Sequence, residues 1–571
     1  MDTLLILLGV FAGYLIVYKF YGSFLSKIFA LTDANPVPSK QFEDGVDYVP
    51  TKKEIIFGHH FASIAGTGPI VGPAIAIIWG WVPALIWIFV GSVIMGAVQD
   101  FGALVISLRN KGKSISEYTS KYISTRTKFA FFLIVFLEIW IVIAIFGLVI
   151  ALIFNIFPHS VWPVWLQIII AVGLGIAIRR GANVTVATII SVILLYLSIL
   201  LGVVAPFKMP TVLGMPATGV WTIILLIYAY IASVLPVTAL LQPRDYINAF
   251  QLIIAMGLMV VGVFTASFKG MHIVAPAVNA HPAQAPPMIP FLFITIACGA
   301  ISGFHSLVSS GTTAKQLEKE TDAVFVGYGA MLTEGMLATL VVIAVSAGIG
   351  LGYMKDGHLL TGVHAWTAHY SSWAAAKGLG SKLTAFVTGA ANMMETAGIP
   401  KSYALALMGV FVASFAGTTL DTATRIQRYI TTEIFSSLNV RVFENKHAAT
   451  SFAVITAALL AFASGADGKG ALTLWPMFGA VNQTLAALAL TVITVYLRYK
   501  GGAKWLISGI PAAFMIIMTF WASLMNEANF IKTHNWLLAV VNIVIILLVI
   551  FIVVEGTVKF FKVSADEKQL A

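Results

Sequence analysis

Two stretches of this chain interrupt apolar sequence with residues that a continuous helix does not tolerate. The first runs Gly58-His59-His60-Phe61-Ala62-Ser63-Ile64-Ala65-Gly66-Thr67-Gly68-Pro69-Ile70-Val71-Gly72-Pro73. Each proline removes a backbone donor and clashes with the preceding turn. Breaking a helix exposes N–H groups at a new N-terminus and carbonyls at a new C-terminus. The first end attracts an anion and the second a cation. Gly66, Thr67, Gly68 and Pro69 are therefore expected to present backbone donors to a carboxylate. The second stretch, Tyr228 to Val237, is expected to break at Pro236, with carbonyls near Ser233, Val234 and Leu235 available to an ammonium group. For either stretch alone, a simple proline kink is the competing reading.

Side chains supply further candidates. Ser302, Ser306, Ser309 and Thr313 share one helical face, with Ser310 beside it. Such hydroxyls either ligate Na⁺ or pack helices closely; Ser306, Ser309 and Ser310 are the candidate ligands. Asp100, Glu138, Glu334 and Glu395 fall in or near apolar runs, where ionisable groups face a cavity or a partner. Asp100 and Glu395 lie close to Gln99 and Asn392, which suggests polar clusters. Glu138 is the candidate proton site, against a structural hydrogen bond. Asp421 and Arg425, four apart, can pair along a helix and serve as a gate. His59 and His60 are adjacent and cannot point to one side of a helix, so they read as a polar helix entry; no metal site is expected. Nucleotide-loop, zinc-protease and nucleophile-elbow signatures are absent, so no catalytic residue is assigned. No cofactor is expected beyond Na⁺ or H⁺ as a coupling ion.

The elements that position these groups follow from composition. The chain has 571 residues, 59% hydrophobic and only 10% charged, with mean hydropathy +0.93. An average soluble domain is roughly 25% charged. The composition implies an all-α polytopic membrane protein. A single cysteine, Cys298, excludes an internal disulfide. The net charge of +10 reads through loop placement, not as nucleic-acid affinity. Apolar runs predict about 15 crossings, with a further short stretch near 383–400 that reads as re-entrant. With the N-terminus outside and the C-terminus inside, the loops divide 25 Lys and Arg inside against 8 outside, as the positive-inside rule demands. Counted from residues 60–79, the span at 219–241 is the sixth. Two inverted five-helix repeats place their broken helices at positions one and six. The expected organisation is a peripheral helix and loop (1–56), a first repeat (57–204), a second repeat (205–448) and peripheral helices (449–571). Nothing points to energy from ATP, which leaves a secondary transporter or a channel.

Phe57-Gly58-His59-His60-Phe61 with Gly66 to Pro73, Ser233-Val234-Leu235-Pro236 with Leu241 to Tyr246, Ser302-Gly303-Phe304-His305-Ser306, and Thr419-Leu420-Asp421-Thr422-Ala423-Thr424-Arg425 resemble the carbon starvation protein A (CstA) family over nearly the whole chain. The resemblance implies a cytoplasmic-membrane transporter of 15–18 transmembrane helices with a LeuT/APC-like core. It implies import of small peptides under nutrient limitation, or, as in a similar branch, of pyruvate with protons. An ion channel and a nutrient-sensing receptor are the alternatives of another class; no soluble signalling domain is visible. Lipid is the expected surrounding partner.

Overall fold

The computed structural model describes residues 2–563; the expected position of the last eight residues lies outside that range. Helices dominate: α1 Asp2–Phe29, α2 Lys53–Ile64, α3 Gly68–Ala76, α4 Trp81–Arg109, α5 Ile115–Tyr122, α6 Thr125–Ile156, α7 Val161–Arg179, α8 Val184–Val204, α9 Ala217–Val234 and α10 Leu241–Phe268. They continue as α11 Met288–Thr295, α12 Gly303–Gly311, α13 Gly329–Ser346, α14 Leu379–Thr396, α15 Lys401–Ser437, α16 Lys446–Ala461, α17 Trp475–Tyr499, α18 Leu506–Lys532 and α19 Trp536–Lys562. A two-stranded hairpin, Tyr353–Lys355 against His358–Leu360, is the one sheet among the described residues.

Twelve of these helices are long and apolar enough to cross a membrane, and α2 with α3, bent by 44° at their break, make a thirteenth crossing. The split pair α11/α12 and the shorter α16 also join opposite ends of the bundle: Trp79 meets the Pro286 carbonyl just before α11 and Ser107 the Ser310 carbonyl in α12, while Thr450 near the start of α16 lies by Ser233 and Thr218 donates to the Asp467 carbonyl beyond its end. The helix α14 does not cross. Lys269, at the end of α10, donates to the Thr396 carbonyl at one end of α14 (2.8 Å), and Gly380 near its other end lies against Ile156, at the same end of α6. Both ends of α14 therefore sit on one face; it is one unbroken helix, not the segment that enters and returns expected near 383–400.

Burial separates centre from rim. In α15 and α17, 83% and 89% of the most apolar window is buried, against 33% in α8 and in α19. The outer helices present Leu, Ile and Val to their surroundings, as a lipid solvent permits. The longest helices, α6 and α15, pack along one another. Local capping fixes where several helices start: Ser114 and Ser124 accept from Glu117 and Thr127, and Asn183 from Val186.

The second helix break is not where the proline predicted it. The helix α9 ends at Val234, and Leu235 to Leu240 form the turn into α10. Pro236 thus sits beyond a helix end, where proline is common. The interruption lies instead between α11 and α12, across Ile296 to Ser302.

Candidate functional site

Both breaks open onto one cavity of about 690 Å³. Thr67 and Gly68 at the start of α3 line it, as do Thr295, Ala297 and Cys298 around the second break. Trp475, Phe478, Asn526, Asn529, Asn535 and Lys377 extend the wall toward the end of the bundle away from the 109–128 loop. The N-terminal end of α3 and the C-terminal end of α11 therefore face the same space. The partial positive charge of one and the partial negative charge of the other would both fall on a ligand held there. Lys377 is the single charged side chain among the lining residues. Pro69 has no N–H, so it positions the turn and donates nothing.

The half-helices touch closely. A Cβ at Gly68 would overlap the Cys298 side chain, and one at Gly66 would overlap Thr419 and Phe146. Below the break, Ser63 bonds Thr422 (3.1 Å) and its carbonyl accepts from Thr419 (3.2 Å). The α2–α15 contact lies on the 109–128 side of the cavity.

That end carries a buried charge cluster. Asp421 does not pair with Arg425. It accepts from Arg244 and from Tyr228 (2.9 Å). Arg244 also holds Asp245 (2.5 Å), and Asp245 meets His59 Nδ1 (2.6 Å). All of Arg244, Asp245, Asp421 and His59 are buried. Arg425 instead bridges Asp47 (2.7 Å) to the Ala232 (3.0 Å) and Leu235 carbonyls. Ser233 to Pro236 thus belong to this cluster, next to Arg425, and are not among the cavity's lining residues. Burial opposes ionisation of Asp47, but Arg428 and Arg425, helped by Lys315, hold its carboxyl at about 2. The stabilisation it contributes is present above its ordinary unfolded value and lost only as pH falls through about 2. Asp47 stays ionised at every physiological pH.

His60 faces the opposite way from His59. Its Nδ1 meets Thr313 (2.8 Å) and its Nε2 meets Asp100 (3.0 Å). Ser309 donates to Asp100. His305 Nδ1 lies 3.8 Å from Asp100, and its Nε2 lies 3.3 Å from Glu334. The serine face is occupied with these and with its own backbone: Ser306 donates to the Gly303 carbonyl (2.7 Å) and Ser310 to the Ser306 carbonyl (2.6 Å). Ser302 meets Asn482 (3.2 Å). Glu138 is fully buried in α6, and neither of its oxygens has a hydrogen-bond partner. Glu395 is half-exposed at the rim and pairs with Lys401 (3.4 Å), so the expected cluster with Asn392 does not form. Asn392 instead donates to the Gly348 and Gly352 carbonyls. The Arg244, Asp245 and Tyr228 members of the cluster were missed; Gln242-Pro243-Arg244-Asp245, a charged pair at a helix start, was the available signal.

Comparison with known proteins converges on one family. The model of the carbon starvation protein CstA family matches residues 2–522. The peptide transporter CstA of Campylobacter jejuni is 34% identical over 554 residues, covering 90% of this chain and 78% of that protein. The pyruvate/proton symporter BtsT of Escherichia coli K12 is 34% identical over 579 residues, covering 89% and 79%. Among solved structures, a manganese transporter of Eremococcus coleocola superposes with a TM-score of 0.50 at 12% identity, covering 91% of this chain and 99% of that one. At that identity the likeness is one of fold alone.

Proposed function

The chain belongs to the carbon starvation protein CstA family, and from that premise we propose that it is a secondary active importer of small peptides, driven by a cation gradient. The observation that carries the reading is the single cavity bounded by both helix breaks. Its volume lies within the 300–1,000 Å³ typical of small-molecule sites. A peptide's carboxylate would meet the N–H groups at Thr67 and Gly68, and its ammonium the carbonyl end of α11. A second reading, pyruvate or another small carboxylate, is supported by Lys377, a cation with no acidic partner among the lining residues. Reconstituted protein should accumulate di- and tripeptides in liposomes. Accumulation of pyruvate with no peptide uptake or competition would replace the first reading by the second.

In this reading the second repeat begins at Met288. The reciprocal packing supports it: α3 lies on α13 as α12 lies on α4, α2 on α10 as α11 on α17, and α9 pairs with α16. The α7–α8 hairpin is then an insertion in the first repeat. The closure formed by Arg244, Asp421, Arg425 and Asp47 is the inner gate, and the cavity is open outward. The N-terminus would be outside and the 109–128 loop cytoplasmic. Lys113, on that loop and exposed, reports its sidedness. In intact cells Lys113→Cys should resist a membrane-impermeant thiol reagent, whereas Met354→Cys, 58% exposed on the hairpin, should react. The reverse pattern would invert the topology.

The coupling ion of this reading is H⁺, carried by Glu138. Its unpartnered oxygens support this over Na⁺ at Ser306, Ser309 and Ser310, whose hydroxyls are already engaged. Glu138→Gln should lose accumulation driven by a pH gradient and keep substrate exchange. Na⁺-dependent uptake that weakens in Ser309→Ala would move the site to the serine face.

A further inference from the structure

We propose that Cys298, His305 and Glu334 form a binding site for a divalent transition metal of the zinc class. This inference is independent of what the protein transports. One ligand atom from each residue, the Cys298 thiol, a His305 ring nitrogen and a Glu334 carboxylate oxygen, all lie within 4.8 Å of one another. Around a tetrahedral zinc ion, ligand atoms at the usual bond lengths are about 3.3–3.8 Å apart. The group therefore needs to contract by no more than about 1.3 Å. Cys298 can supply that movement, because it sits in the non-helical stretch between α11 and α12.

The second observation is unsatisfied polarity. His305 and Glu334 are fully buried. Both ring nitrogens of His305 and the Oε2 of Glu334 lack a hydrogen-bond partner, although His305 Nε2 stands 3.3 Å from that oxygen. Buried polar atoms are nearly always paired, and such a cluster calls for a missing water or ion. A cation between them would satisfy His305 Nε2 and Glu334 Oε2 at once, with Nδ1 left on the Asp100 side.

The surroundings supply the support that metal ligands ordinarily need. Asp100 Oδ2 lies 3.8 Å from His305 Nδ1, beyond hydrogen-bond reach here; a small turn of the ring on binding would let that carboxylate orient it, as carboxylates do for metal-bound histidines. The Gly299 N–H donates to Glu334 Oε1 (3.1 Å), which fixes the carboxylate and leaves Oε2 free. The set of one sulfur, one nitrogen and one oxygen excludes calcium and magnesium, which take oxygen ligands. It suits zinc, with a fourth position for water. Cys298 lines the large cavity, so an ion reaches the site from there. On binding, the Cys298 thiol loses its proton to water in the cavity, and thiolate and carboxylate together balance the ion's charge. The bound ion would tie the second break, α12 and α13 into one unit.

The test uses purified full-length protein, stripped with a chelator and titrated with Co²⁺ as a spectroscopic substitute for zinc. One equivalent should bind, with a thiolate-to-cobalt charge-transfer absorption that added Zn²⁺ abolishes. Cys298→Ser, a conservative change, should lose that absorption while the protein remains monodisperse. Asp100→Asn should weaken binding about 10-fold or more, as loss of an orienting carboxylate does. Folded wild-type protein that gives no charge-transfer absorption, or an unchanged absorption in Cys298→Ser, would overturn the proposal.

Discussion

Gly68→Val is expected to reduce uptake by about two orders of magnitude while the protein still inserts and purifies as a single species. The size follows from geometry, since misplacement by an ångström at a positioned site costs on that scale. Gly68 opens α3 at the cavity wall, and its missing side chain is what lets Cys298 approach. Even a methyl group there would overlap the Cys298 Sγ and stand 2.5 Å from its Cβ. Rotating the thiol away does not remove the second contact, so the backbone of the second break must move. That stretch is non-helical, and it can yield without unravelling the long helices around it. The expected result is therefore a folded protein with a distorted site. Gly257→Ala is the control, because a Cβ at that position meets nothing within 4 Å and uptake should be normal. Unchanged substrate affinity in folded Gly68→Val would remove Thr67 and Gly68 from the binding site.

The sequence showed the crossings and the first break, and the reasons are local. Continuous apolar runs report membrane spans regardless of tertiary context, and Gly66, Gly68, Pro69 and Pro73 crowd one short interval. The second break carries no proline. Its residues, Ile296 to Ser302, include one punctuating glycine, Gly299, held at φ +88°, in the region where side chains are disfavoured. What opens the helix there is tertiary: Asn482, from α17, accepts from the Phe304 N–H (3.0 Å) and caps the start of α12. Pro236 gave the stronger sequence signal and marks only a helix end. The same competition undid the Asp421–Arg425 pair. Spacing by four makes such a pair available, but Arg244 offers Asp421 two nitrogens, and Asp47 offers Arg425 a carboxylate from a loop almost 380 residues away in sequence. The serine face was legible as a face. Its chemistry was not, because hydroxyls on a helix bond back to their own carbonyls, as Ser306 and Ser310 do.

Arg244→Ala should be the most destabilising single change in the buried charge cluster. Arg244 holds two buried carboxylates, Asp245 and Asp421, and also donates to Tyr228 (2.5 Å). Its removal leaves both acids in a low-dielectric interior without their main counter-charge. Breaking a buried pair in this way costs about 3–5 kcal/mol. Asp421→Ala should cost less, because Arg244 keeps Asp245 and the tyrosine hydroxyl. Arg244→Lys should rescue only in part, since a lysine cannot reproduce the forked contacts to two acids. Thermal unfolding in detergent checks the order: the midpoint should fall furthest in Arg244→Ala, less in Arg244→Lys and least in Asp421→Ala. Transport separates closure from mere stability. Asp421→Ala removes the charged tie between α10 and α15 and leaves the Asn248–Thr418 bond, so the fold persists and liposomes carrying it should leak preloaded substrate faster than wild type without a driving gradient. Wild-type midpoints in all three variants would mean that the cluster contributes no net stability, and wild-type retention in Asp421→Ala would mean that it does not hold the gate.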